Sequence, residues 1–105
     1  MRLNAYAIFD TAAGAYQRPF FLPADAQAIR CFKDIVADAE HPVGQHPEDY
    51  YLVRCGVWND ADCVFTPEAV STLRTGLELL AEIRNVDPAQ LEAFQGSLGG
   101  NGNAS

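Results

Sequence analysis

The sequence predicts an α+β domain in which a small antiparallel sheet of order ββαββ is covered by a central helix and followed by a C-terminal helix. Residues 25–38 place apolar side chains at helical spacing, strand-like segments lie on both sides of them, and a second helical pattern begins near residue 66. Such a chain buries the apolar stripe of its central helix most simply against one face of the sheet.

The first two predicted strands form a hairpin. Arg2–Phe9 carries apolar side chains on both alternating faces, as an interior strand does. Gly14, in the turn that follows, can take a positive φ. The second strand is predicted over Ala15–Leu22. Because Pro19 has no N–H to donate to a ladder, this strand lies at an edge or breaks at Pro19.

The central helix is predicted over Asp25–Asp38, with the sequence DAQAIRCFKDIVAD. The carboxylate of Asp25 can cap the first turn, where the helix dipole also favours negative charge. Gln27, Arg30 and Asp34 fall on the polar side of the helix. The apolar stripe expected to face the sheet consists of Ala28, Ile29, Phe32, Ile35 and Val36.

Residues 39–49 contain two prolines and a glycine among polar residues and are predicted to form a long loop without a regular element. Within it, Pro47, Glu48 and Asp49 are expected to initiate or cap a turn. Tyr50–Trp58 is rich in β-branched and aromatic residues and predicts strand three. A turn over 59–62 leads to a short fourth strand over 63–66.

A second helix is predicted to begin at Thr66, which would cap it, with Pro67 at its first position and Gly76 weakening its interior. Two interpretations stay open: this helix packs on its own domain, or it forms a homodimer or binds a partner. The apolar positions that follow an a/d spacing, over barely two heptads, are Val70, Leu73, Leu77 and Leu80.

These patterns divide the chain into three parts. Residues 1–66 are predicted to form a sheet-and-helix domain, 67–95 a C-terminal helical extension, and 96–105 a flexible tail that has nothing to bury. One or two helical turns could begin at Asp87 and Pro88 within the extension.

The composition limits the class of protein. The chain has 105 residues, 49% of them hydrophobic, and a net charge of −7, which indicates one folded domain with a modest core. Phosphate repels an acidic surface, and the seven Lys and Arg residues are scattered, so the composition argues against a strongly basic nucleic-acid binder. Without a basic n-region or a long apolar run, we expect a soluble, intracellular protein.

Candidate catalytic and metal-binding residues are few. His41 and His46 lie in one loop, whereas Cys31, Cys55 and Cys63 lie elsewhere and include no CxxC pair. Their spacing matches no standard zinc pattern, and no nucleophile elbow or oxyanion loop accompanies them. We therefore expect no catalytic residue, no metal site and no cofactor.

Aromatic and basic residues could still form a local surface for DNA or a partner, because bases stack on aromatic rings and Lys and Arg neutralise phosphate. An edge strand that feeds the core explains the aromatic residues near position 20 equally well. The candidate contact residues are Arg18, Phe20, Phe21, Arg30, Lys33, His46 and Tyr50.

Several short motifs occur together over roughly residues 5–66. They are Phe9–Asp10, Pro19–Phe20, the helix residues Ala28, Ile29, Arg30, Phe32, Asp34 and Val36, then His46–Tyr50, and Trp58–Asp60. In this combination the chain resembles the small nonstructural protein of gokushoviruses, which are single-stranded DNA phages of the Microviridae.

The resemblance implies a nonenzymatic phage accessory protein in the host cytoplasm, without a membrane partner. Members of that family are likened to protein C of phiX-type phages, which helps switch replication from duplex DNA to packaging of single strands. The expected partners are therefore phage replication or capsid proteins, reached through protein contacts. The alternative implied by the resemblance is a module that binds single-stranded DNA directly.

Replacing Phe32 by alanine is expected to destabilise the domain by about 3 to 5 kcal/mol, because the large side chain leaves a site that cannot fully collapse. Arg30→Ala, on the polar side of the same helix, should cost at most about 0.5 kcal/mol. Chemical denaturation of the two variants measures the difference, and equal shifts in midpoint would contradict the helix orientation.

Overall fold

The structure is a computed structural model that describes residues 1–85, and its architecture confirms the predicted α+β class. The strands are β1 (Arg2–Asp10), β2 (Ala15–Tyr16), β3 (Phe20–Leu22), β4 (Tyr50–Asn59) and β5 (Val64–Thr75). The helices are α1 (Asp25–Val36), α2 (Pro42–Gln45) and α3 (Gly76–Arg84), and a 3-10 turn at Pro47–Asp49 leads into β4. In this part of the chain no helix is both long and apolar enough to cross a membrane.

The sheet is antiparallel, with the order β2-β1-β4-β5 and with β3 also paired to β1. As the sequence predicted, the segment over 15–22 lies at an edge and breaks around Pro19. Its two pieces share one edge of β1: β2 pairs with Phe9 and Asp10, whereas β3 pairs with Asn4–Tyr6. Strand β5 forms the opposite edge of the sheet.

Helix α1 turns its predicted stripe toward the sheet. Phe32 is 0% exposed and Arg30 is exposed, which confirms the predicted orientation. The predicted capping role of Asp25 is wrong, because the N-cap is Ala24 and it makes no side-chain capping bond. The carboxylate of Asp25 instead accepts a hydrogen bond from the Tyr6 hydroxyl, at 2.7 Å.

The predicted start of the C-terminal helix is also wrong. Residues 67–75 continue strand β5, and α3 begins at Gly76, which is its first residue rather than an interior one. The Thr-Pro-Glu segment at 66–68 is a local helix-start signal, but the surrounding β-branched residues fit the ladder that β5 forms with β4. The true start has a capping box, in which the Thr75 hydroxyl accepts from the Glu78 N–H and the Glu78 carboxylate accepts from the Thr75 N–H.

These bounds separate the residues that were predicted to form a helical self-association seam. Val70 and Leu73 lie on β5, whereas Leu77 and Leu80 lie on α3. Leu80 is only 7% exposed and belongs to the core. Because the four residues do not share a helix, the a/d stripe proposed for a homodimer does not form in this structure.

The connection between α1 and β4 is more regular than the loop that was predicted. It contains the one-turn helix α2, whose Val43 is buried, and the 3-10 turn, whose Pro47 is buried. The Nδ1 atom of His41 accepts a hydrogen bond from the Val43 N–H and so caps α2. The turn predicted at Pro47–Asp49 is confirmed.

The core lies between the helices and one face of the sheet. Helix α3 contributes to it, since Leu79 and Ala81 are buried together with Phe32. The buried cluster consists of Tyr6, Ile8, Ala28, Phe32, Val36, Val43, Tyr50, Leu52, Leu79, Leu80 and Ala81. The boundary predicted after Thr66 falls inside β5, and the turns predicted after Asp87 and the tail over 96–105 lie outside the described residues.

A fragment that ends at Thr66 is expected to lose cooperative unfolding, because it lacks most of β5 and the core side chains of α3. A fragment that ends at Asn85, and so keeps both elements, is the matched control and should unfold cooperatively. Circular dichroism during chemical denaturation makes the comparison. A cooperative transition of the shorter fragment would mean that residues 1–66 form an independent core.

Candidate functional site on the open face of the sheet

The helices α1, α2 and α3 all contribute to a core on one side of the sheet. Successive side chains of a strand point to opposite faces, and Tyr6 and Ile8 of β1 belong to this helix-covered core. Ala5 and Ala7 therefore face the other way. Within residues 1–85 no helix packs over that second face, which we call the open face.

Cross-strand register identifies the members of the open face, because directly paired residues point to the same side. In β4 the residue Cys55 is an extra one: Tyr6 pairs with Arg54, but Ala5 pairs with Gly56. The open face is thereby formed by Leu3, Ala5, Ala7, Phe9, Tyr16, Phe21, Tyr51, Val53, Gly56, Trp58, Phe65, Pro67, Thr72 and Thr75.

One group of aromatic rings stands at the end of the open face where β1 finishes. The ring centroid of Phe9 lies 4.6 Å from that of Tyr16 and 6.3 Å from that of Tyr51. We call these three residues the Tyr51 group. Tyr16 is 53% exposed, so the group presents aromatic surface to solvent.

A second group of rings stands at the opposite end of the open face. Phe21 lies with its ring centroid 6.2 Å from that of Trp58, and Phe65 is the direct cross-strand partner of Trp58. We call these three residues the Trp58 group. Phe21 is 40% exposed and Phe65 is 43% exposed. Aromatic pairs at such separations stabilise each other beyond the area they bury.

Small side chains form a floor between the two groups. The floor consists of Ala5, Ala7, Val53 and Gly56, all of which are buried although none of the helices within residues 1–85 covers them. The surrounding rings shield them, as Gly56 shows: a Cβ atom there would lie 2.5 Å from Cζ of Phe65. The open face is thus a shallow apolar surface with a small-residue floor and aromatic ends.

None of the residues that define the open face is charged. Charged side chains of the strands lie on the helix-covered side, where Arg54 links two carboxylates. Its Nη1 lies 3.3 Å from Oδ1 of Asp25, and its Nε lies 3.1 Å from Oε1 of Glu68. The hydrogen bond to Glu68 is the main reason why the pKa of Arg54 is raised.

A second ionic group joins α1, α3 and β5 on the same side. Glu82 accepts hydrogen bonds from Arg74 and, at 3.3 Å, from Nζ of Lys33. Arg74 and then Lys33 lower the pKa of the Glu82 carboxyl, although its burial acts in the opposite direction. Lys33, Arg54 and Arg74, three of the seven basic residues, are therefore engaged by carboxylates away from the open face.

The predicted DNA-contact or partner-contact residues do not gather in one groove. Phe21 belongs to the open face, and Arg18 is exposed in the connection between β2 and β3. Phe20 and Tyr50 face the helix-covered core, where Phe20 lies 5.6 Å from the Tyr6 ring between centroids. Burial raises the pKa of the Tyr50 hydroxyl.

The remaining predicted contact residues lie away from the open face. Arg30 and Lys33 are on helix α1, and His46 is in the connection that follows α2. Nδ1 of His46 lies 3.7 Å from Oε2 of Glu48. The structure therefore leaves Arg18 as the basic residue of the predicted set that lies beside the open-face strands.

His46, Glu48 and Asp49 each place one potential metal-ligand atom within 4.8 Å of the others. Imidazole and carboxylate groups can hold a divalent cation. However, Glu48 and Asp49 lie in the 3-10 turn and His46 directly precedes it, and no buried polar group points into the cluster among residues 1–85. The turn accounts for their proximity, and we assign no ion to it.

The cysteines lie apart and are free thiols. Cys31 and Cys63 are exposed, and Cys55 places its Sγ 3.6 Å from the carbonyl oxygen of Ala5. Burial raises the pKa of the Cys55 thiol, so this cysteine remains protonated and is a poor nucleophile.

The fold and the open face define a small α+β domain with a core on one side of its sheet and a partly exposed aromatic surface on the other. Residues 3–79 match the family described as Phage ORF5 protein, and the chain belongs to this family. It is therefore a phage protein, and the match spans every strand of the sheet. No curated protein and no solved structure matches the chain.

Sequence reasoning missed the open face. The apolar side chains on both faces of Arg2–Phe9 predicted an interior strand. That prediction is confirmed, because β1 is hydrogen-bonded to other strands along both of its edges. These side chains did not reveal that one side lacks a helix. A signal was present in β1 itself, where the core-facing residues Tyr6 and Ile8 alternate with the small residues Ala5 and Ala7.

Gly56→Ala is expected to destabilise the protein by about 1 to 3 kcal/mol, because the added methyl would press on the Phe65 ring and on the Thr66 carbonyl oxygen, 2.6 Å away. Gly14→Asn is the control: Gly14 has φ +66° and open space around it, and asparagine tolerates that conformation. The denaturation midpoints of the two variants, each compared with wild type, measure the change in stability. An unchanged midpoint for Gly56→Ala would show that Phe65 does not rest on the floor.

Proposed function

We propose that this protein is a nonenzymatic accessory protein of a gokushovirus-type phage, which acts in the host cytoplasm. It assists the change from genome replication to packaging of single-stranded DNA through protein contacts, and the open face is its docking surface. The observation that carries this proposal is an aromatic, uncharged sheet face that none of the helices α1, α2 and α3 covers. The family match supports the class of phage accessory protein.

The composition of the open face supports a protein partner. Aromatic residues are enriched at the centres of protein interfaces, and Lys, Glu and Asp are depleted there. Phe21 and Phe65 expose two fifths of their surface, and Tyr16 exposes half. A phage replication or capsid protein that presents apolar side chains would remove this surface from water, which stabilises the complex.

The distribution of titratable groups supports a binding role rather than catalysis. On the helix-covered side, Asp25, Glu68 and Glu82 are engaged with basic residues. The open face carries no carboxylate, imidazole, amine or thiol among its defining residues, and its titratable groups are the phenols of Tyr16 and Tyr51. General acid–base or nucleophilic catalysis requires such groups to converge beside a substrate.

The docking surface is tested by replacing Phe21 with glutamate in a tagged protein expressed during infection. Wild type should recover phage replication or capsid proteins from nuclease-treated lysate, and Phe21→Glu should lose them, because a carboxylate would be buried without a partner. Ile83→Glu is the matched control, since Ile83 is also 40% exposed but lies on α3. Recovery by Phe21→Glu, or equal loss by both variants, would contradict the proposal.

A second candidate function is direct binding of single-stranded DNA on the same face. It is favoured by the position of Arg18, in the connection between the strands that carry Tyr16 and Phe21. Stacking on an aromatic ring stabilises about 1 to 3 kcal/mol per base. The net charge of −7 opposes this function because it repels phosphate. Recovery of phage proteins that disappears on nuclease treatment, and in an Arg18→Glu variant, would favour DNA.

A further inference from the structure

We propose that in the free protein the open face of one copy is covered by the open face of a second copy. The protein is then a symmetric dimer in which two sheets pack face to face, with the helices on the outside. In taking the open face as a protein-docking surface we rely on the proposed function, and we add the identity of its first occupant.

The apolar area of the open face is adequate for a weak dimer. A buried aromatic side chain removes about 150 to 250 Å² from water, and the most exposed rings, those of Tyr16, Phe21 and Phe65, still expose 53%, 40% and 43%. Together with the half-buried rings and Leu3, the face offers several hundred Å², which is below the roughly 800 Å² per partner of a standard interface and corresponds to a weak dimer. A patch of several hundred Å² equals the largest apolar patch of a typical monomer, and such patches are often functional.

The distribution of charge favours the open face as the contact surface between identical copies. Each chain carries a net charge of −7, so two copies repel wherever their carboxylates approach. The open face has no carboxylate among its defining residues, and Asp25, Glu68 and Glu82 lie on the helix-covered side. Packed sheets lie about 10 Å apart, so these carboxylates would be separated by more than the Debye length of about 8 Å at physiological salt.

The arrangement of aromatic rings on the open face suits a two-fold contact between copies. Aromatic groups stand at both of its ends, and the floor of Ala5, Ala7, Val53 and Gly56 lies between them. In a two-fold dimer the same patch serves both copies, and the exposed rings of one copy pack against those of the other, because each floor is already shielded by the rings of its own chain. Face-to-face packing of twisted sheets at about 30° is the usual arrangement of two such layers.

Covering the face by a second copy regulates access to it. A phage partner must then bind in competition with dimerisation, so the fraction of open faces falls as the concentration of this protein rises. Monomers released by dilution or by partner binding need no refolding, since the floor is already shielded by the rings of its own chain.

Sedimentation velocity of the full chain over a range of concentrations tests the dimer, and fluorescence locates its interface. Trp58 is the only tryptophan and lies on the open face, so its emission should shift to shorter wavelength as the dimer forms. Phe21→Glu should raise the dimer Kd at least about tenfold, which corresponds to about 1.4 kcal/mol. Ile83→Glu, with the same 40% exposure on α3, should leave the Kd unchanged.

A protein that stays monomeric throughout would overturn the inference. So would a dimer whose Trp58 emission does not shift, or one that is lost in Ile83→Glu but kept in Phe21→Glu. Tyr16→Glu, at the other aromatic group, serves as the second variant if Phe21→Glu lacks a cooperative unfolding transition. A monomer whose recovery of phage proteins still depends on Phe21 would leave the proposed function standing, whereas a dimer that recovers no phage protein would remove that function alone.

Discussion

The hydrogen bond from the Tyr6 hydroxyl to the Asp25 carboxylate ties the sheet to the helix that covers it. Tyr6 is 0% exposed on the interior strand β1, and a buried hydroxyl without a partner destabilises a fold by about 1 to 3 kcal/mol. Asp25, the first residue of α1, meets this need at 2.7 Å and also accepts from Asn4. Burial, followed by Asp25, raises the Tyr6 pKa to about 12, so the donor stays protonated at physiological pH.

The same carboxylate anchors a chain of contacts that reaches the edge of the sheet. Arg54 joins Asp25 to Glu68, which lies where β5 takes extra residues relative to β4. This irregularity, together with Pro67, makes the edge of β5 a poor template for another strand, because bulges and prolines interrupt the row of backbone donors. The surface left for association is consequently the open face rather than the strand edge.

The parts of the fold that could be predicted from the sequence are those set by local periodicity. Phe32 and Arg30 fall on opposite sides of α1 because helical spacing alone decides it. The residues at 66–68 led to a wrong helix start because a Thr-Pro-Glu sequence favours a helix locally. Their strand conformation is set by pairing with β4, which local sequence does not show. The Thr75 and Glu78 spacing is a capping-box pattern that marks the true start of α3 in the sequence, but the helix-start residues at 66–68 come before it. The small residues Ala5 and Ala7 set one side of β1 apart, but which side the helices of residues 1–85 cover depends on the whole topology.

A core on one side of a sheet leaves the apolar residues of the other side open to water. In this protein aromatic side chains shield those residues. The rings of the Tyr51 and Trp58 groups stand around Ala5, Ala7 and Val53, which are buried although α1, α2 and α3 all lie on the other side of the sheet. The monomer therefore keeps its sheet intact while its rings remain partly exposed. Side chains that shield a floor in the free chain and present their outer surfaces to a partner allow binding and release without unfolding. Such reversibility suits the accessory role proposed for this protein, in which it binds a partner and releases it again.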